Sequence, residues 1–221
     1  QVLSRNLLES GFAGPVLPVS LSARAIRSSI AYRSVAELPL VPDLAVIATP
    51  APSVPGIVSE LAQAGCRAAI VISAGVDAPL RQQMLDAAKP TLMRILGPNC
   101  LGFMSPRQGI NASFAHLSPA PGGLALVSQS GAVAAAAIDW AHARGVGFSH
   151  VLTIGDAADV DFGDLLDYLA LDYDTHGVLL YVESITDARK FMTAGRIASR
   201  AKPVVVVKAG RSKAGAQAPI S

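Results

Sequence analysis

Four segments of this chain are apolar at every position instead of every second one: Leu44-Ala45-Val46-Ile47-Ala48, Ala68-Ala69-Ile70-Val71-Ile72, Val178-Leu179-Leu180-Tyr181-Val182 and Pro203-Val204-Val205-Val206-Val207. A strand with water on one face alternates, so a strand with no polar face is expected to be covered on both. Between these runs lie helix-length segments at 54–64, 77–89, 131–144, 162–171 and 187–200, several opened by acidic or small residues. Strand, helix and strand in succession predict an α/β chain built on parallel sheets.

The rhythm breaks between Arg107 and Gly123, where Pro119, Pro121 and two adjacent glycines read as a connector. The chain is therefore expected to hold two α/β units, 1–118 and 119–221, with the boundary near Pro119. Residues 2–11 read as a helix that ends at Gly11 and feeds a strand over Pro15–Val19. A parallel unit that begins on a helix is expected to lack its first strand, and a glycine-rich loop with it.

Hydrophobic residues make up 51% of the 221 positions, ample for a buried core. Eighteen Lys and Arg against sixteen Asp and Glu leave a charge of +2, too balanced for a nucleic-acid surface. Aromatic content of 5% also argues against a base-stacking platform. No apolar run reaches the ~18 residues of a membrane span, and the first residues lack a secretion pattern, so a soluble cytoplasmic protein is expected. Two cysteines, Cys66 and Cys100, are too few for a zinc site or a disulfide framework. No metal site is expected.

Chemistry is expected where apolar runs stop at small residues and helices begin, because such turns leave backbone N–H groups pointing outward at the positive end of a helix dipole. Leu96-Gly97-Pro98-Asn99-Cys100-Leu101-Gly102 and Ser128-Gln129-Ser130-Gly131 have this form most clearly, and the ends at Thr49-Pro50-Ala51 and Ser73-Ala74-Gly75 share it. Four such ends on one rim fit a long anionic ligand, while the plain alternative is a set of stiff strand-to-helix turns. The serines lack the Gly-x-Ser-x-Gly elbow of an α/β hydrolase, so they either hold a phosphoryl group or simply cap the alanine-rich helix. Cys100, at a turn, is a conceivable nucleophile or a small buried residue. Glu183, at the end of an apolar strand, is placed to orient a base or to adjoin the cap of the next helix. Asp156, Asp159 and Asp161 form either a metal-binding group or an acidic loop that caps a helix. The four histidines, His116, His142, His150 and His176, show neither metal spacing nor an obvious carboxylate partner, and His142 reads as solvated. A Gly-x-Gly-x-x-Gly loop with its acidic partner does not occur, which argues against a dinucleotide dehydrogenase.

In order along the chain, these motifs resemble the α part of the NDP-forming acyl-CoA synthetases, with succinyl-CoA synthetase α subunits as more distant relatives. The resemblance also draws on Gly109-Ile110-Asn111-Ala112-Ser113-Phe114, Ala158-Asp159-Val160-Asp161-Phe162 and Lys202 to Ser212, and covers nearly the whole chain. It implies a CoA-binding Rossmann-like domain followed by a flavodoxin-like ligase domain, and the reaction acid + CoA + ATP ⇌ acyl-CoA + ADP + phosphate through an acyl phosphate and a phosphohistidine. It also implies that Pro18, Val19, Thr49, Pro50, Ala51, Ser73, Ala74, Gly75, Asn99 and Cys100 line the CoA or acyl-CoA site. Ser128, Ser130 and Gly131 would hold phosphate, and Glu183 would meet the phosphohistidine.

Three departures accompany the resemblance. The family's glycine-rich loop would precede Gln1. Its Pro-Val-Asn-Pro-Lys is Pro18-Val19-Ser20-Leu21-Ser22 here, which leaves Arg24 to replace the lysine. Its Ser-His-Thr-Gly segment, which carries the reactive histidine, would follow the last four residues, Ala218-Pro219-Ile220-Ser221. ATP, ADP and Mg would be handled by an ATP-grasp module outside this chain, as a partner subunit or a further region, in an oligomeric assembly. Residues 5–19 also look like the synthetase-like region of bacterial protein lysine acetyltransferases with a fused GNAT domain, which implies a regulatory CoA-sensing role as the alternative.

Overall fold

A computed structural model describes residues 2–210. The chain opens with helix α1 (Val2–Glu9) and a short antiparallel pair, β1 (Ala25–Ile26) and β2 (Ser29–Ile30). Then come β3 (Leu44–Ile47), α2 (Val54–Ala64), β4 (Ala68–Val71), α3 (Ala78–Ala88) and β5 (Arg94–Leu96). An antiparallel hairpin of β6 (Gly102–Ser105) and β7 (Ile110–Ser113) leads to β8 (Pro121–Ser128), α4 (Gly131–His142), β9 (Phe148–Thr153), α5 (Phe162–Leu171), β10 (Gly177–Val182), α6 (Ala188–Ala201) and β11 (Val204–Lys208).

Two sheets carry the architecture. β3, β4 and β5 form a parallel sheet in that order, and the larger sheet runs β11-β10-β8-β9-β6-β7. Its four central and edge strands β11, β10, β8 and β9 are parallel, while β6 joins β9 antiparallel. The α/β reading with parallel sheets therefore holds. The hairpin is an addition to it: part of the expected connector is strand β7, and the sheet pairing of 102–113 runs to β9.

Helix starts follow the acidic and small residues seen in the sequence. Asp77 accepts from Leu80 N at 3.0 Å, Asp187 from Lys190 N at 2.9 Å, and Asp161 and Asp164 form a reciprocal capping box on α5. Each cap satisfies a backbone donor that the helix cannot, typically a contribution of ~1 kcal/mol.

Two expectations about strands are corrected. Pro15–Val19 is not a strand: its only bridge is Val19 with Tyr32, and Pro15 and Pro18 lack the N–H that a ladder requires. The run 203–207 is not covered on both faces, because β11 is the edge strand of its sheet and Val205, Val206 and Val207 are 57%, 48% and 48% exposed.

The two sheets share one core. Ile70, Leu96 and Cys100 from the small unit pack with Val127, Ile154 and Leu180 from the large one. A loop after β9 adds polar stitching: Ile95 N donates to Asp159 Oδ2 at 2.7 Å, Val160 N to Ile95 O at 3.1 Å, and Ala158 N to Gly97 O at 3.0 Å. The loop thus supplies β5 with the hydrogen bonds a neighbouring strand would have given. Gly155 starts it with φ +51, and a Cβ there would lie 2.2 Å from Pro98 O, so no other residue fits without backbone movement. Arg94 holds Asp159 at 3.0 Å and Asp164 at 3.4 Å, while Lys190 reaches Asp164 at 2.7 Å and Asp161 at 3.0 Å. Burial works to raise the Asp164 carboxyl, but the Lys190 bond, the Asp161 amide and the charges of Lys190 and Arg94 outweigh it and hold the group below the ordinary carboxylate range.

Asp159→Ala removes the partner of the fully buried Ile95 N–H, and is expected to cost about 1–3 kcal/mol in urea unfolding. A loss within 0.3 kcal/mol of zero, on the order of measurement error, would show that the loop does not stitch the sheets.

Candidate functional site

Because β3, β4 and β5 are parallel, the turns that follow them share one edge. Ser73 Oγ donates to Thr49 O at 2.5 Å, and Asn99 N donates to Ser73 O at 3.1 Å. Thr49, Ser73 and Asn99 therefore form one hydrogen-bonded row, flanked by the exposed Pro50, Ala74 and Gly75 and the half-buried Ala51. Gly75 has φ +76, and a Cβ there would meet nothing within 4 Å, so the row borders a ledge that is open at Gly75. Asn99 takes φ +58, a left-handed conformation that asparagine tolerates better than most residues.

Pro18, Val19 and Arg24 lie in a segment whose hydrogen bonds close on itself: Tyr32 N donates to Pro18 O at 2.9 Å, and Ala31 N to Arg24 O at 3.0 Å. Val19 and Arg24 are exposed. Cys100 is only 3% exposed, and its thiol points to Val71 O at 3.4 Å. Burial is the main cause that pushes this thiol up to about 12, so it stays protonated at neutral pH. The nucleophile option is thereby removed, and the small buried residue is what the chain has.

A second focus lies in the larger sheet. Along β9-β8-β10-β11 the chain order is second, first, third, fourth, so the connections reverse direction between β8 and β10. Such a reversal opens a crevice at the carboxyl ends of the two strands, the usual ligand position in an open parallel sheet. Ser128, Gln129, Ser130 and Gly131 leave β8 there, and Glu183 and Ser184 leave β10. Ser130 caps α4 by accepting from Val133 N at 3.4 Å. Ser128 is fully buried, and its hydroxyl donates to Ser130 O at 2.8 Å and accepts from Ser130 N at 3.1 Å, so it shapes the loop from within. Gly131 is half-buried at the first turn of α4, where Leu101 Cβ would lie 3.3 Å from an added Cβ.

Gln129 ties the two sides together. Its Oε1 accepts from Glu183 N at 2.6 Å and from Ser184 N at 2.8 Å, its Nε2 donates to Ser184 Oγ at 3.1 Å, and its own N donates to Tyr181 O at 3.1 Å. Lys208 Nζ donates to Glu183 O at 2.8 Å from the far side. Beside this bridge, Gln129, Asp156, Phe162, Ser184 and Phe191 line a crevice of about 20 Å³, room for about one water. The two foci meet at the loop after β9, where Asn99 Nδ2 lies 3.4 Å from Asp156 Oδ1 and Asp156 N donates to Pro98 O at 3.0 Å.

Neither Gln129 nor Lys208 stood out in the sequence. A carboxamide in a loop has no periodicity, and only its position between two candidate serines marked it. The acidic trio resolves into separate tasks: Asp159 binds Arg94 and Ile95 N, Asp161 caps α5, and Asp156 faces Asn99. Among the described residues no group of three or more His, Cys, Asp or Glu is placed to hold a metal. Two histidines do have carboxylate partners, contrary to the sequence reading. His150 Nε2 lies 3.1 Å from Asp172 Oδ2, and His116 Nε2 lies 2.9 Å from Asp139 Oδ1. His142 is exposed, as expected. Arg211, Ser212 and the segment to Ser221, on which part of the family motif falls, lie outside the described residues.

Residues 2–106 match a CoA binding domain, and residues 121–221 match the succinyl-CoA ligase like flavodoxin domain. The chain is 38% identical to the α subunit of acetate–CoA ligase [ADP-forming] I from Pyrococcus furiosus, over 99% of this chain and 50% of that one. It is 40% identical to acetate–CoA ligase [ADP-forming] I from Archaeoglobus fulgidus, over 94% of this chain and 31% of that one. This chain belongs to the ADP-forming acyl-CoA synthetase family, as an α-type region. A solved dinucleotide-forming acetyl-coenzyme A synthetase 1 from Candidatus Korarchaeum cryptofilum superposes with a TM-score of 0.92 at 33% identity, covering 98% of this chain and 48% of that one. The chain thus spans half or less of the length of these relatives. No helix among the described residues is long and apolar enough to cross a membrane.

The buried thiols give a direct check on the geometry. Cys66 and Cys100 are expected to resist iodoacetamide at pH 8 in the folded protein and to react within minutes once it is unfolded. Rapid alkylation of Cys100 in the native state would show that the row is not packed as described.

Proposed function

We propose that this chain is the CoA- and phosphate-handling part of an ADP-forming acyl-CoA synthetase, which catalyses acid + CoA + ATP ⇌ acyl-CoA + ADP + phosphate. The observation that carries the reading is the union of two strand-end foci in one core, the Thr49–Ser73–Asn99 row and the β8/β10 crevice, joined at Asn99 and Asp156. A thioester synthesis that passes through a phosphorylated carrier needs a thiol substrate and a phosphoryl group brought to neighbouring positions on a fixed frame. The names of the relatives, acetate–CoA ligases that form ADP, support the same reading.

In this proposal CoA lies along the ledge, held by Thr49, Pro50, Ala51, Ser73, Ala74, Gly75 and Asn99. Pro18, Val19 and Arg24 close over it, and Cys100 contributes backbone only. The open space over Gly75 fits such a role, because a pantetheine chain needs a surface without side chains standing on it. Ser130 and Gly131, at the start of α4, receive the phosphoryl group, with Ser128 fixing their loop. Glu183 orients the imidazole that carries phosphate, a histidine supplied from outside the 221 residues. ATP, ADP and Mg belong to an ATP-grasp module, as a separate subunit or a fused region. The functional boundary between the CoA-binding unit and the ligase unit lies near Pro119. A regulatory role for an attached acetyltransferase gains no support from these relatives.

The test is calorimetry of the complete protein with CoA. Binding is expected, and Gly75→Trp is expected to weaken it at least tenfold by filling the ledge, while Gly75→Ala, which carries the same left-handed strain at φ +76 without the bulk, is expected to weaken it less than about threefold. An intact protein without measurable CoA affinity, or a Gly75→Trp variant that binds as tightly as the parent, would refute the assignment.

A further inference from the structure

The bridge made by Gln129 goes beyond what either strand end requires. A loop leaving a strand can turn with its amides in water, yet here two successive amides, Glu183 N and Ser184 N, converge on a single side-chain oxygen at 2.6 and 2.8 Å. Gln129 is 7% exposed, so its carboxamide is withdrawn from solvent and its hydrogen bonds are costly to break. Its backbone is fixed too, through Gln129 N to Tyr181 O, and its Nε2 holds the Ser184 hydroxyl. On the opposite side, Lys208 Nζ bonds Glu183 O, and Ala209 N bonds Val182 O, so the peptide of Glu183 is held at both its N–H and its C=O. These contacts fall on the four residues from Tyr181 to Ser184, at the point where the sheet reverses direction, and two of them hold the N–H and the C=O of Glu183 itself.

We propose that Gln129 and Lys208 form a backbone clamp that positions Glu183 for the reaction. Gln129 is a positioning residue that acts through Glu183. This rests on the proposed function, in which the Glu183 carboxylate orients the reactive imidazole, and adds to it the device that fixes where that carboxylate stands. The physical reason is geometric. A carboxylate on a solvated loop samples several positions, and a displacement of about 1 Å from the productive one lowers the rate of an oriented reaction by up to about a hundredfold. A glutamine is suited to the task because a single neutral oxygen can accept from two amides without placing a second negative charge beside the carboxylate it positions.

The experiment is a double-substitution cycle on the complete protein with its nucleotide-handling part, reading kcat, the KM for CoA and phosphoenzyme formed from labelled ATP. Gln129→Met keeps the length of the side chain and removes both acceptor and donor. It is expected to lower kcat and phosphoenzyme formation about 10- to 100-fold, with the KM for CoA unchanged within about twofold. In a Glu183→Gln background the same change is expected to add less than about twofold, because a group that acts only through Glu183 has nothing left to position. Lys208→Met, at an exposed position, carries the same cycle and decides the matter if Gln129→Met does not fold. Effects of Gln129→Met or Lys208→Met that multiply fully with Glu183→Gln, or an active parent whose kcat is unmoved by either change, would overturn the clamp alone. A parent that forms no phosphoenzyme and no ADP with acid and CoA would overturn the functional reading and the clamp together.

Discussion

At several strand ends and edges among the described residues, freed backbone groups are met by a buried or half-buried polar side chain. Thr153 Oγ1 accepts from Gly102 N at 2.8 Å and donates to Gly102 O at 3.0 Å, and so closes β6 against β9. Asn6 on α1 gives both its amide hydrogens to Ser113 O and Ala115 O where β7 ends. Asp159 receives the outer amide of β5, and Gln129 receives two amides beyond β10. A buried N–H or C=O without a partner costs on the order of 1–3 kcal/mol, so these few side chains decide which loop conformations the fold permits. The strand-end foci exist because the loops are held in this way.

The same constraint explains the difference in character between the two foci. The row after β3, β4 and β5 is held by main-chain and hydroxyl contacts deep in the turn, which leaves the outer surface of Ala74 and Gly75 clear. The crevice between β8 and β10 is held across its mouth by Gln129, so little open volume remains beside it. In the proposed function the first focus receives a long flexible molecule along its ledge, and the second holds a short loop and its carboxylate in a fixed relation to the start of α4. The loop after β9, pinned to both sheets, keeps the two in register.

Much of this frame is legible in the sequence. Continuous apolar runs marked β3, β4 and β10, and the caps Asp77, Asp161 and Asp187 marked the starts of three helices. The strand-end turns at Thr49, Ser73 and Asn99 were placed on one edge by parallel topology alone. What escaped was long-range and polar. The β6–β7 hairpin alternates with small and polar residues such as Gly102, Asn111 and Ser113, which give no apolar run. The exposure of β11 follows from its edge position, which no local pattern encodes. Pairs such as His150 with Asp172, or Gln129 with Glu183, join residues 22 and 54 positions apart, and only the fold brings them together.

The most direct measurement is native-state hydrogen exchange resolved by residue. If buried side chains hold the strand-end loops, the amides of Ile95, Glu183 and Ser184 exchange at least about a hundredfold more slowly than those of the exposed Ala74 and Gly75. Exchange of Ile95, Glu183 and Ser184 at the rate of Ala74 and Gly75 would contradict the account, because the loops would then be free of the side chains said to fix them.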